Sequence, residues 1–249
     1  MSDSRFMRTK ALLGEKNFAK LQHSSVMIIG LGAVGGYALE ALARAGIGKL
    51  VLVDFDKVDI TNINRQILAL DSTIGQAKTT IAAQRVHDIN PDCKIITKEI
   101  FVNSQNIDKL LSERVDFVVD AIDALNPKCD LIQALYQKNI PFISSMGAAL
   151  KTDASHIKLQ TLNKTKNCHL ARFIRKRLKR RGVDIGKILC VSSDEQTNLP
   201  ETALFLENNE NCSNNTRQRH TMGSLPTITA IFGLTIANAV ILSLSKLAK

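Results

Sequence analysis

The chain has 249 residues and a mass of 27.4 kDa, with 45% apolar and 22% charged residues. These proportions exclude a disordered chain and allow one large domain or two small ones. The net charge is +10, but residues 164–187 alone contribute +9 and the other 225 residues only +1. The composition therefore excludes a uniformly basic, histone-like protein and indicates a nearly neutral body with one anion-binding segment.

The beginning of the chain and its cysteines indicate the compartment. Residues 1–20 mix charges and contain no apolar run, which argues against a secretory signal. The five cysteines are an odd number with no close pair, so we expect reduced thiols rather than disulfides or a zinc site. A cytoplasmic protein is the simplest interpretation.

Short apolar runs alternate with helical patterns through the first 145 residues. The run 25–30 predicts a strand, followed by a helix through Ala45 and a second strand that ends at Asp54. The later predicted helices cover 76–89, 104–113 and 127–138, and the later strands 93–98, 115–122 and 140–145. This alternation predicts an α/β fold, Rossmann-like, in which a mostly parallel sheet carries helices on both faces.

The pattern changes after Gly147. Antiparallel strands near 155–161 and 187–192 are predicted to enclose a basic helix over 168–181. An Asn-rich loop follows over 198–219, and a last helix covers 226–247. We therefore expect the sheet to continue into antiparallel strands and a C-terminal helix.

The last helix leaves two interpretations open. Residues 221–245 contain no charge, and residues 228–244 approach a membrane-spanning length. Thr229, Thr235 and Asn238 interrupt the apolar pattern, so a buried or subunit-interface helix is favoured. Peripheral or single-pass membrane contact through 225–245 is the alternative.

A glycine-rich turn follows the first strand. Residues 30–35 read Gly-Leu-Gly-Ala-Val-Gly, a spacing that lets a phosphate approach backbone N–H groups at a helix start. Asp54, at the end of the second strand, stands where a carboxylate accepts from ribose hydroxyls. These features fit NAD as well as ATP, and the turn alone also fits tight packing without a ligand.

The residues after Asp54 favour a triphosphate. Arg65 and Lys78 add a guanidinium fork and a point charge that a dinucleotide does not need. Asp123, at the end of the fourth predicted strand, is the candidate Mg²⁺ ligand. Asp120 is the weaker candidate, because it also suits a helix cap or a bond to the backbone.

The run Asp-x-Asp-x-Val-x-x-x-Asn-x-x-Arg-Gln at 54–66, with Gly-Gln-x-Lys at 75–78, resembles the ubiquitin-activating-enzyme superfamily of adenylyltransferases, which includes the ThiF and MoeB proteins. The resemblance implies ATP and Mg²⁺. It assigns the nucleotide to Gly30, Gly32, Ala33, Gly35, Asp54, Asn62, Arg65, Gln66 and Lys78, and the metal to Asp123. It implies catalytic roles for Arg8, Arg65, Lys78 and Asp123. Arg8, in the element Arg5-x-x-Arg8, would reach the ATP of a partner subunit, which implies a homodimer.

A second resemblance concerns the substrate. The segment Lys164 to Leu178, and Met-Gly-Ser-Leu-Pro at 222–226, resemble the tRNA threonylcarbamoyladenosine dehydratases, although Cys168-His169 replaces their usual Asp-Pro. This implies ATP-dependent cyclisation of N6-threonylcarbamoyladenosine in tRNA through an adenylylated carboxylate, with release of AMP and pyrophosphate. The candidate tRNA-binding residues are Arg172, Arg175, Lys176, Arg177, Lys179, Arg180 and Arg181.

The same resemblance predicts one domain over residues 1–249, with an ATP-binding part at 1–150 and a tRNA-binding part at 151–249. The alternative function is activation of the C-terminal Gly-Gly of a ubiquitin-like sulfur carrier, which would make a carrier or sulfur-relay protein the partner. The absence of paired Cys-x-x-Cys motifs counts against it. A non-catalytic RNA-binding module and a nicotinamide oxidoreductase are weaker alternatives.

The remaining cysteines and histidines favour structural roles. Cys190 and Cys212 are expected to be apolar fillers or loop residues rather than sulfur-transfer groups. His169 and His220 are expected at a helix start and in a loop, because no companion ligands lie at zinc spacing.

Overall fold

The computed structural model describes residues 4–196, 204–206 and 220–246. A seven-stranded sheet runs through its centre in the order β3-β2-β1-β4-β5-β7-β6. Its strands are β1 (Ser25–Ile29), β2 (Lys49–Asp54), β3 (Lys94–Glu99), β4 (Phe117–Asp120), β5 (Phe142–Ser145), β6 (Ile157–Thr161) and β7 (Leu189–Ser193). Six strands are parallel and β6 is antiparallel to β7. Two further strands, β8 (Leu204–Leu206) and β9 (His220–Met222), form a separate antiparallel pair.

Eight α-helices accompany these strands in the described part of the chain. They are α1 (Met7–Leu13), α2 (Glu15–His23), α3 (Gly35–Arg44), α4 (Lys78–Ile89), α5 (Ile107–Leu110), α6 (Leu125–Gln137), α7 (His169–Arg180) and α8 (Pro226–Ser245). Short 3-10 turns lie at Ile60–Asn62, Asp71–Thr73, Ala154–His156 and Leu162–Lys164.

The central strands are buried on both faces, which explains their continuous apolar runs. In β1, Val26 and Ile28 belong to the core on one face, and Met27 and Ile29 to the core on the other. The first core also contains residues of α3, α4 and α8, and the second contains residues of α5 and α6. The predicted mostly parallel sheet with helices on both faces is therefore confirmed.

Two regions differ from the prediction. Helices α1 and α2 were not predicted, because α1 buries only Leu13 and α2 only Phe18 and Leu21, which leaves no long apolar stripe. The predicted helix 104–113 shrinks to the four residues of α5. Asn103 Oδ1 accepts from Gln105 N at 2.9 Å and Asn106 Oδ1 from Asn103 N at 2.9 Å, and such bonds compete with helical ones.

The C-terminal half follows the prediction more closely. Strands β6 and β7 form the expected antiparallel pair, and α7 occupies the expected basic segment. His220 begins strand β9 rather than lying in a loop. The predicted loop 198–219 falls largely outside the described residues, and its described part, 204–206, is strand β8.

Helix α8 packs one side against the sheet core. Ile228, Phe232, Ile236 and Val240 are buried at spacings of four residues. Leu234, on another side of the helix, is 45% exposed. By length and composition α8 is also able to span a membrane, as core helices of soluble proteins sometimes are. Its packing supports the buried-helix interpretation for the inward side.

A glycine allows α8 to approach α3 closely. A Cβ at Gly233 would lie 2.4 Å from the carbonyl oxygen of Val34 and 2.8 Å from Tyr37 Cβ. We therefore expect Gly233→Ala to lower the free energy of unfolding by about 1–3 kcal/mol, although alanine is the better helix former. Denaturant unfolding measures the change. Leu234→Ala, on the exposed side, is the matched control and should cost less than about 1 kcal/mol; equal losses would contradict this packing.

Candidate functional site

The glycine turn between β1 and α3 lies at the carboxyl edge of the sheet. Gly30 has a φ of +91°, and a Cβ there would lie 2.7 Å from the carbonyl oxygen of Ala121. A Cβ at Gly35 would lie 1.8 Å from the Gly30 carbonyl oxygen. At Gly32 the nearest atom, Gln66 Nε2, is 3.9 Å away. Packing therefore requires the first and last glycines, whereas the middle one leaves its backbone open to a ligand.

Asp54 holds this turn to the second strand. It is buried, its Oδ2 accepts from Leu31 N at 2.6 Å, and its Oδ1 accepts from Asp56 N at 2.8 Å. Each carboxylate oxygen retains a second lone pair. The geometry therefore gives Asp54 a structural role and still allows it to accept from a ribose hydroxyl.

Lys78 is a buried cation beside the turn. It begins α4, its side chain is 5% exposed, and its Nζ lies 2.9 Å from Asp56 Oδ2. Its backbone N–H also donates to the carbonyl of Asp56 at 3.0 Å. Asp56 was not among the predicted site residues, although it is the second acid of the Asp-x-Asp pattern. Asp56 keeps the ammonium paired, and a phosphate entering the site would compete for it.

The segment with Asn62, Arg65 and Gln66 folds over the start of α3. Asn62 Oδ1 accepts from Asp59 N at 3.3 Å, so this side chain shapes the 3-10 turn. Arg65 Nη1 donates to the Thr61 carbonyl at 2.8 Å. Asn62 and Gln66 are both buried, and Gln66 faces Gly32. The structure thus brings the predicted phosphate segment to the glycine turn.

Two carboxylates at the end of β4 lie in very different surroundings: Asp120 is the last residue of the strand, and Asp123 follows it. Asp120 is fully buried, with Oδ2 at 2.9 Å from Lys128 Nζ and 2.6 Å from Ser144 Oγ. Asp123 is exposed in the loop before α6. Asp120 is enclosed and neutralised, so Asp123 is the carboxylate open to a metal.

The surroundings of Asp123 fit Mg²⁺ held mainly by phosphates. The described residues contain no cluster of three or more histidine, cysteine, aspartate or glutamate side chains able to hold a metal ion. One or two carboxylates with nucleotide phosphates and waters are a usual Mg²⁺ environment, so a dedicated protein cage is not required.

Arg8 does not join this site within its own chain. It is exposed on α1, and nearby Arg5 Nη1 donates to the carbonyls of Asp88 and Ile89 at the end of α4. That end of α4 lies where the strands begin, opposite the glycine turn. Arg8 is therefore too far from the glycine turn of its own chain, and the only nucleotide it could contact would be one bound by another subunit.

Helix α7 divides its cations into two groups. It buries Ala171, Ile174 and Leu178, and three arginines, two in the helix and Arg181 directly after it, bind their own chain. Arg175 donates to Thr165, Arg177 to Asn126, and Arg181 to Asp130 at 2.6 Å. The other four cations are exposed along one side, which we call the outer basic face: Arg172, Lys176, Lys179 and Arg180.

A cavity of about 350 Å³ lies at the start of α7. Its lining includes His169, Arg172 and Arg175. Cys168 caps the helix by accepting from Ala171 N at 3.4 Å, so the replacement of the usual acid preserves a cap. A Cβ at Gly147, just after β5, would lie 3.4 Å from Cys168 Sγ. The basic helix therefore starts beside the carboxyl edge of the sheet.

The described cysteines outside this cavity are buried. Burial raises the pKa of Cys190 to about 12 and that of Cys93 to about 11, so both remain protonated near neutral pH. This supports the filler interpretation of Cys190. Cys212 lies outside the described residues, as does the side chain of His220. His169 is the exposed first residue of α7, as predicted.

A family model described as the ThiF family matches residues 4–249. The tRNA threonylcarbamoyladenosine dehydratase of Bacillus subtilis (strain 168) is 39% identical over 190 residues, covering 76% of this chain and 74% of the relative. The crystal structure of E. coli tRNA N6-threonylcarbamoyladenosine dehydratase in complex with AMP superposes with a TM-score of 0.87 and 33% identity. Its complex with ATP gives 0.86 and 32%, and both cover 98% of this chain and 95% of theirs.

The glycine turn allows packing and ligand binding to be separated. Gly35→Ala should lower the free energy of unfolding by at least about 1–3 kcal/mol, because the new Cβ would clash with the backbone carbonyl oxygen of Gly30. Gly32→Ala should leave unfolding nearly unchanged and weaken ATP binding at least about tenfold, because the new methyl group covers the open backbone. Denaturant unfolding and calorimetric ATP titration measure the two effects. Unchanged ATP affinity in Gly32→Ala would contradict this nucleotide position.

Proposed function

The chain belongs to the ThiF family, and from this membership we propose that it uses ATP to adenylylate a carboxylate. The proposed substrate is N6-threonylcarbamoyladenosine in tRNA, which the enzyme cyclises with loss of water. The observation that carries the proposal is the juxtaposition of an open glycine turn, the buried cation Lys78 and, beyond β5, a helix with an outer basic face. The names of the similar dehydratases supply the substrate class.

The proposed reaction consists of two displacements. A carboxylate oxygen of the threonyl group attacks the α-phosphorus of ATP, and pyrophosphate leaves. The carbamoyl oxygen then attacks the activated carbonyl carbon, AMP leaves with the former carboxylate oxygen, and the carbamoyl nitrogen gives its proton to solvent. The product therefore lacks one water. No enzyme nucleophile is needed, so the inert thiol of Cys190 fits the scheme.

The protein contributes positioning and charge. Backbone N–H groups of the glycine turn and the side chains of Asn62, Arg65 and Gln66 hold the phosphates, and Asp54 receives the ribose. Lys78 exchanges Asp56 for phosphate oxygens and stabilises the charge that develops there. Asp123 would hold Mg²⁺, which would supply neutralisation of the phosphate charge.

The outer basic face is the proposed tRNA contact. Its four cations lie within one side of α7 and extend from the cavity beside the carboxyl edge. The chain has no tryptophan, and the centroid of the one phenyl ring of α7, Phe173, lies 5.1 Å from the Arg172 guanidinium carbon. Recognition of phosphates and RNA shape therefore suits this surface better than stacking on unpaired bases.

A homodimer completes the proposed site. Arg8 lies at the far edge of the sheet, so it would serve the ATP of a second subunit. Around it, α1 presents Met7 at 62% exposure and Leu12 at 82%. An exposed cation between exposed apolar side chains favours an interface between copies. In this proposal residues 1–249 act as one cytoplasmic domain, and both parts contribute to one reaction.

Lys78→Ala tests the reaction. We expect it to lower ATP-dependent cyclisation by about 100-fold or more, the usual cost of losing a charge-stabilising donor. The measurement is the mass of the modified nucleoside and the release of AMP, after incubation with ATP and bulk tRNA. Lys57→Ala, an exposed lysine of the preceding segment, is the matched control and should remain active. AMP formation driven by a protein ending in Gly-Gly, and not by tRNA, would instead favour the sulfur-carrier function.

Neutralising the outer basic face tests the tRNA contact. The triple change Lys176→Ser, Lys179→Ser and Arg180→Ser should weaken tRNA binding and reduce the slope of log affinity against log salt by up to about 0.9 per lost phosphate contact. Arg175 is left intact because it supports its own chain. ATP affinity should not change. A triple change of the exposed residues Lys16, Lys57 and Lys109 is the control, and equal loss of tRNA binding in it would contradict a specific face.

A further inference from the structure

Asp120 and Lys128 form an ion pair with no exposed surface. Both side chains are 0% exposed, and Lys128 Nζ lies 2.9 Å from Asp120 Oδ2. Removing two charges from water costs more than a pair usually regains, so a buried ion pair is weak grounds for a stabilising role. Lys128 lies one turn into α6, at a place where an apolar residue would fill the core. Stability alone therefore does not explain why a charged pair occupies this place.

The pair binds both backbone polar groups of one residue in the loop before α6, Ile122. Asp120 Oδ1 accepts from Ile122 N at 3.1 Å, and Lys128 Nζ donates to the Ile122 carbonyl at 2.8 Å. Ser144 Oγ donates to Asp120 Oδ2 at 2.6 Å, which fixes the carboxylate from the neighbouring strand β5. Both polar backbone groups of Ile122 are therefore held by buried charges.

Ile122 directly precedes Asp123, the candidate metal ligand. Ala121 directly precedes Ile122 in the chain. A Cβ at Gly30 would lie 2.7 Å from the Ala121 carbonyl oxygen, so Ala121 packs against the glycine turn. Across residues 4–196, 204–206 and 220–246, no side chain bonds to the Asp123 carboxylate. The orientation of Asp123 therefore depends on the backbone just before it.

We propose that Asp120 and Lys128 are positioning residues that hold Asp123 in place for the Mg²⁺ of ATP. This inference rests on the proposed function, in which Asp123 is the metal ligand. Mg²⁺ requires near-ideal octahedral geometry, so a single carboxylate on a loose loop would bind it poorly. The charge pair supplies strong, directed hydrogen bonds to the residue directly before Asp123.

The experiment measures how much Mg²⁺ improves ATP binding, without tRNA and therefore without turnover. Calorimetry gives the ATP dissociation constant with Mg²⁺ and with EDTA, and their ratio is the Mg²⁺ coupling. In Lys128→Met we expect the coupling to fall by about tenfold, the usual effect of losing an outer support of a metal ligand. ATP affinity in EDTA should remain within about twofold of the parent.

Lys128→Met leaves an unpaired buried carboxylate and could fail to fold. In that case a second variant provides the test. Asp120→Asn with Lys128→Met removes both charges, retains an acceptor for Ile122 N, and still loses the bond to the Ile122 carbonyl. It should fold and show the same loss of coupling. Ser144→Ala, the mildest change, should show a smaller loss.

Two controls separate positioning from stability and from the proposed function. Ile132→Ala, a buried change elsewhere on α6, should lower stability and leave the coupling intact. Asp123→Asn should abolish the coupling. If it does while the double variant retains the parent coupling, the positioning inference is overturned and the proposed function stands. If Asp123→Asn leaves the coupling unchanged, the metal assignment fails, and the positioning inference fails with it.

Discussion

The close approach of backbone at the glycine turn is the constraint on which the rest of the site depends. Gly30 and Gly35 meet each other and Ala121 at distances that no side chain would permit. This contact joins the ends of β1 and β4 to the start of α3, and Asp54 ties the same turn to β2. The carboxyl ends of the neighbouring strands β2, β1 and β4 are therefore held close together. The side chains that follow these strands line one crevice.

The cations of the chain fall into two classes, those that bind groups of their own chain and those that remain exposed. Lys78 and Lys128 are buried and each is neutralised by an aspartate. Three arginines, two in α7 and Arg181 directly after it, bind the helix to its own chain, and the four cations of the outer basic face remain exposed. The charge excess of residues 164–187 is thus partly structural. Counting cations in the sequence overestimates the surface offered to a nucleic acid.

The local sequence pattern predicts most of the fold, but it does not predict the internal ion pairs. The runs at 26–29 and 50–53 are apolar because both sheet faces are covered, and that pattern is visible in the sequence. The turn at 103–106 depends on asparagine side chains bonding to nearby backbone, which competes with a helical pattern. The pairs Asp56–Lys78 and Asp120–Lys128 depend on neighbouring strands and helices, so they appear only once the chain is folded.

The bond between Lys78 and Asp56 has a kinetic consequence for the proposed reaction. A buried ammonium with no counterion would hold a departing anion tightly, and release would then be slow. Because Asp56 Oδ2 lies 2.9 Å from Lys78 Nζ, the ammonium has a counterion within reach when pyrophosphate leaves in the proposed reaction. In the proposed reaction, the carboxylate that makes ATP binding an exchange would therefore also shorten the life of the product complex.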